Sequence, residues 1–231
     1  MPNNRYPLIA REAWPFLVAL LGLAVLAEFF VSSVVFFSIL FVFFIAVYLL
    51  RDPYREIPSE PLAVVSPAYG VVTLIEEAED VRLKRKAMRI QVTMRAFDIY
   101  SLRSPIEGKV AEHWCSNPDK NEPRRHFDFH IKTDEGDDIV TAVRLKDIIR
   151  KFHFYMHLGE RVGQGQRSGY LYLGGLIDVF IPLESKILVE EGQYVKSGST
   201  VLAQLIHQGT ASVIKDEEVQ DEAQEEIQKD I

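Results

Sequence analysis

The chain has 231 residues and a formal net charge of −7. Eight acids against two lysines between Lys215 and Asp230 supply six of those seven negative charges, so the rest is close to neutral and overall acidity says nothing about a substrate. A single cysteine, Cys115, excludes an intramolecular disulfide and any multi-cysteine metal centre.

Residues 14–50 hold one charged side chain, Glu28. One helix of that length would measure about 55 Å, against a hydrocarbon core of about 30 Å. The reading is therefore a transmembrane helical hairpin, with spans at 14–30 and 34–50 and a turn at Val31-Ser32-Ser33. No small-residue cleavage site follows, so a signal peptide is not expected. Arg5 and Arg11 precede the hairpin, and Arg51 and Arg55 follow it. That places both ends, and the domain after residue 51, on the cytoplasmic face of the cell (inner) membrane.

After Leu50 the pattern changes to short β-prone runs separated by Gly, Pro and charged turns. This predicts a mostly β fold, a compact antiparallel β-barrel or sandwich, over residues 51–210. Helical pattern is scarce, with one short helix expected at 143–150. "GERVGQGQ" (159–166) and "GQYVKSGS" (192–199) both read Gly-x-x-Val-x-x-Gly, with glycines where a tight β-turn needs positive φ. Similar half-repeats build biotinyl and lipoyl carriers, but the modified lysine of those carriers has no counterpart here. Residues 211–231 form an acidic tail without a core-forming pattern, expected to be disordered.

Two other constellations invite a ligand. Arg82, Lys84, Arg85, Lys86 and Arg89 form a basic run that could hold anionic phospholipid head groups, at about 1 kcal/mol per basic residue. No aromatic stacking platform accompanies it, so nucleic acid is not expected. His126 with His130, and His153 with His157, fall at strand spacing without an evident third ligand, and no metal is assigned.

Four stretches, taken in order, resemble the short prokaryotic form of phosphatidylserine decarboxylase. They are "LLRDPYREIP" (49–58), "VVSPAYGVV" (64–72), "FDIYSLRSPIEGKV" (97–110) and "GERVGQGQRSGYLYLGGLIDVFIP" (159–182). The resemblance covers nearly all of residues 1–206. It implies a phospholipid substrate and a pyruvoyl group, made when a serine attacks the carbonyl of the glycine before it and the resulting ester eliminates. It also implies an Asp-His-Ser arrangement for that cleavage, in which His takes the proton and Asp orients His.

This sequence departs from the pattern at all three chemical positions. Tyr69 stands where the resemblance implies Asp, Tyr100 where it implies His, and Gly175 where it implies Ser. A glycine has no hydroxyl, and a tyrosine with a pKa near 10 is a poor base at about pH 7. The flanking Ser66, Pro67, Gly70, Asp98, Arg103, Pro105, Gly174 and Asp178 are kept. The expectation is a non-catalytic relative with no cofactor, a pyruvoyl group arising only if the chain cuts itself. It would act in phospholipid metabolism by binding membrane phospholipids or by partnering an active decarboxylase. One alternative is a working decarboxylase cut before Ser199, where Gly-Ser-Thr matches the cleavage site of the family's longer members. Another is a membrane-tethered β module of unrelated role.

Overall fold

The computed structural model describes residues 9–53, 56–95, 97–116, 126–145 and 152–206. The acidic tail and most of the helix expected at 143–150 lie outside these; Val143 and Arg144 themselves are strand. A short 3-10 turn (Arg11–Ala13) leads into α1 (Trp14–Phe30), where Pro15 suits the first turn, and α2 follows over Ser33–Leu49. The Ser33 hydroxyl donates to Glu28 at 3.1 Å and occupies the one carboxylate in the apolar run. At the other end Ala10 N–H donates to the Leu50 carbonyl at 3.0 Å, so the two legs close on each other.

The helices overturn the expected transmembrane hairpin. Each has 17 residues, a length of about 25 Å, and no helix among the described residues is long and apolar enough to cross a membrane. Ser32 has extended backbone and splits the apolar run into two pieces that each fall short. The base of the pair packs on the β domain through Ala10, Ala13, Leu17 and Ala46. Its remaining surface is apolar and exposed, including Phe29, Phe30, Val31 and Val34.

The rest of the described chain is β, and every strand pairing is antiparallel. The strands are β1 (Ala63–Val65), β2 (Gly70–Asp80), β3 (Arg85–Thr93), β4 (Ser101–Arg103), β5 (Gly108–Ser116), β6 (His126–Lys132) and β7 (Asp138–Arg144). They continue as β8 (Phe152–Phe154), β9 (Arg161–Val162), β10 (Arg167–Leu171), β11 (Leu176–Ile181), β12 (Lys186–Ile187), β13 (Tyr194–Val195) and β14 (Val201–Gln204). Eight form one open sheet, ordered β13-β2-β3-β11-β7-β6-β5-β9, a half-barrel rather than a closed barrel. Two three-stranded sheets, β1-β14-β12 and β4-β10-β8, lie beside it.

Strand alternation sets the two faces of the large sheet. On β11, Ile177, Val179 and Ile181 enter the main core, together with Ile90, Val92, Phe129, Ile131 and Val143 from neighbouring strands. Asp178 and Phe180 point the other way, where Phe180 joins Ala87, Val140 and Ala142 in a second, smaller cluster. The repeat found in the sequence is structural. Gly159, Gly165, Gly192 and Gly198 have φ of 80°, 67°, 87° and 74°, and Val162 and Val195 are fully buried in β9 and β13.

Candidate functional site

The three substituted positions are linked through shared neighbours at one end of the large sheet. Tyr69 closes the turn that leads into β2, and its ring lies edge-on to Tyr194 with centroids 5.7 Å apart. The Tyr194 hydroxyl donates to Asp98, whose other oxygen accepts Arg95 N–H at 2.7 Å. Two residues on, Tyr100 is buried, its carbonyl accepts Leu171 N–H at 2.8 Å, and its ring stands at 88° to Tyr170. Tyr170 and Leu171 end β10, and the chain then turns through Leu173 and Gly174, both at positive φ, into Gly175. The Gly175 carbonyl accepts Met94 N–H at 3.0 Å, which returns the path to the segment holding Asp98.

Gly175 lacks more than a hydroxyl. A Cβ built there would lie 2.8 Å from the Arg144 carbonyl oxygen and 3.0 Å from Leu171 Cδ2. The first contact is with backbone and is too close for a real Cβ without movement. The fold has closed over the place where a nucleophile's side chain would start.

Among the described residues, the tyrosines around the site do not supply a base. Burial first, and then the Asp98 carboxylate, push the Tyr194 phenol up; burial first, and then Glu12, do the same to Tyr170. Both stay protonated through the neutral range. His153, on β8, lies against Tyr172 with centroids 5.7 Å apart and is exposed. His130 is hydrogen-bonded to Asp138 at 2.8 Å on the other side of the sheet. Among the described residues no group of three His, Cys, Asp or Glu could hold a metal.

Ser199 is held in ordinary turn chemistry. Its N–H donates to the Lys196 carbonyl at 3.2 Å, and the Thr200 hydroxyl accepts Lys196 N–H at 3.0 Å. The turn abuts the Ser66–Gly70 turn, where Gly198 N–H donates to the Ser66 carbonyl at 2.8 Å. The pyruvoyl group implied by the resemblance therefore does not fit the residues at its expected position, and no step is derived through it.

The retained motif residues turn out to hold the fold. Asp52 is buried and accepts the Ser101 hydroxyl at 2.8 Å, with Arg103 3.5 Å and Arg167 3.4 Å away. Arg103, itself buried, also donates to the Gly165 carbonyl at 3.0 Å. Arg167 reaches on to Glu12 at 2.8 Å, and Glu12 accepts the Tyr155 hydroxyl. Asp178 is fully buried between Arg89 at 3.1 Å and Arg144 at 2.9 Å. Sequence reasoning missed Glu12, Tyr155 and Tyr194, because their partners lie 96 to 155 positions away and no local spacing announces them.

The basic run lies on the β2–β3 hairpin, and three of its members are engaged internally. Arg82 pairs with Asp128, Arg85 donates to the Asp138 carbonyl, and Arg89 bridges Glu76 and Asp178. Lys84 and Lys86 are exposed.

Comparison with known proteins agrees with these motifs. The family model described as phosphatidylserine decarboxylase matches residues 42–203. A phosphatidylserine decarboxylase proenzyme of Nitrosomonas eutropha is 33% identical over 208 residues, covering 86% of this chain and 96% of the relative. Proenzymes of the same name from Nitrosomonas europaea and Aromatoleum aromaticum are 32% and 35% identical, covering 88% and 89% of this chain and 98% and 100% of the relatives. No solved structure matches. Two kinds of evidence thus converge, a match along most of the chain and a motif framework whose retained residues build the fold, and the chain belongs to the phosphatidylserine decarboxylase family.

Proposed function

We propose that this protein is a non-catalytic member of its family, acting in phospholipid metabolism by binding lipid or by partnering an active decarboxylase. One observation carries the reading. The position implied for the nucleophile is a glycine whose missing side chain has no room, 2.8 Å from a backbone carbonyl. The two positions implied for its base and orienting acid hold tyrosines, one of them buried. Residues that hold the scaffold are kept, and residues that would do chemistry are replaced.

The same reading places the protein at a membrane surface with its β domain on the cytoplasmic side, held by contact rather than by crossing. The exposed apolar side chains of α1 and α2 support attachment, and Lys84 and Lys86 favour anionic phospholipids. Vesicles tested with and without anionic lipid should retain the protein better when the anionic lipid is present. Equal retention would remove the lipid preference.

The deciding experiment is the intact mass of the purified full-length chain with a denaturing gel. A single species at 26.4 kDa is expected. Two fragments, the smaller beginning at residue 199 with a blocked N-terminus, would overturn the reading and make Ser199 the processing site.

A further inference from the structure

The tip of the β2–β3 hairpin curls over the outer face of the large sheet and leaves a cleft of 320 Å³. Its floor is apolar, formed by Val140, Ala142 and Phe180. Its polar wall is Asp80, Arg82, His126, Asp128 and Arg144. On β11, Phe180 faces this cleft, whereas a Cβ at Gly175 would meet Leu171 of the main core and the backbone carbonyl of Arg144, a residue that also lines the cleft. Tyr69, Tyr100 and Gly175 are not among the cleft's lining residues.

Two buried carboxylates here each have one oxygen without a hydrogen bond. Asp80 is 1% exposed; its Oδ1 accepts Arg82 N–H and Leu83 N–H, while its Oδ2 receives no hydrogen bond and lies 4.0 Å from Arg85 Nε. Asp128 is 5% exposed; its Oδ2 accepts Arg82 Nε–H and its Oδ1 receives none. A buried acceptor without a donor is costly, and a native site normally supplies one. The two arginines show the opposite want. Each commits its Nε to one acid, Arg82 to Asp128 and Arg144 to Asp178. Their side chains remain 26% and 31% exposed, so the planar fork can still take an anion.

We propose that this cleft binds a small zwitterion. A primary ammonium, with three donors, would satisfy Asp80 and Asp128, and a phosphate or carboxylate would lie against Arg82 and Arg144. The wall sets two acids, Asp80 and Asp128, against two guanidiniums, Arg82 and Arg144, which suits a ligand carrying charges of both signs. The volume admits a head-group-sized molecule, free in water or as the end of a lipid.

The fold contains a reporter. The guanidinium of Arg82 lies 5.4 Å from the Trp114 ring centroid, and the chain has one other tryptophan, Trp14. The full-length Trp14→Phe protein is titrated with phosphoethanolamine while Trp114 emission is followed. A saturable change is expected, with ethanolamine or inorganic phosphate alone at least tenfold weaker. Asp128→Asn should weaken binding at least tenfold, and so should Ala142→Leu, which fills the floor without altering charge. Vesicles of phosphatidylcholine with and without phosphatidylethanolamine form the second arm. A response to phosphatidylethanolamine that Ala142→Leu abolishes assigns a lipid source, and a response to the soluble probe alone assigns a free one. No saturable response in either arm overturns the proposal. Titrations unchanged in both folded variants, or phosphate binding as tightly as phosphoethanolamine, overturn it as well.

Discussion

At the scale of single residues the sharpest contrast is between Gly175 and Asp52. Gly175→Ser places a Cβ against the Arg144 carbonyl, so it should destabilise by about 1–3 kcal/mol through overpacking, read from denaturant midpoints. The triple variant Tyr69→Asp, Tyr100→His, Gly175→Ser should therefore remain uncut on a denaturing gel. Cleavage would show that three side chains alone separate this scaffold from processing. Asp52→Ala acts through charge instead. It removes an acid beside buried Arg103 and should cost about 3–5 kcal/mol, the range for an uncompensated buried charge. Both positions were legible as motif members, but their physical roles were not. "RDP" does not say that its Asp will meet Ser101 and Arg103 half a domain away. Nor does "GG" say that a carbonyl from another strand crowds the second glycine.

At the scale of elements, legibility followed locality. The Gly-x-x-Val-x-x-Gly turns could be read directly, because positive φ is a property of one residue and its neighbours. Gly192→Ala, at φ +87° with open space around it, should cost about 1 kcal/mol. Gly198→Ala adds a Cβ 2.6 Å from Arg103 Cδ and should cost measurably more, and thermal melts of the pair isolate that contact. The helical pair shows the other limit. Hydrophobicity announced two apolar helices and the turn between them at 31–33, yet the docking of Ala10, Ala13 and Leu17 on the domain left no local mark. The cleft over β6, β7 and β11 was invisible for a similar reason. Arg82 and Asp128 stand 46 positions apart and meet because the tip of the β2–β3 hairpin folds over the sheet.

At the scale of the whole molecule, Glu12 links the helical pair to the β domain electrostatically. Burial alone would raise its carboxyl, but Tyr155, its own backbone and Arg167 outweigh that and hold it below the ordinary value of 4.5. A lowered folded-state pKa means that ionised Glu12 stabilises the fold fully above about pH 4.5. That contribution is lost as pH falls through the folded-state value. Melting temperature should drop across this acidic window, and Glu12→Gln should flatten the drop there while leaving the near-neutral pH dependence unaltered. A slope identical in the variant would remove Glu12 from the linkage.

The span of that link has a consequence for how the protein is made. Glu12 waits for Tyr155, 143 positions later, and for Arg167, 155 positions later. The first β strand likewise waits for the last, since Ala63–Val65 pairs with Val201–Gln204. At ribosomal speeds of about 5–20 residues per second, the completed helical pair, ending at Leu49, precedes its anchor by roughly 5 to 24 s. Through that interval Ala10, Ala13, Leu17 and Ala46 have no β domain to pack on. Whatever receives the nascent chain, a chaperone or a lipid surface, must hold an apolar hairpin that its own protein cannot yet secure.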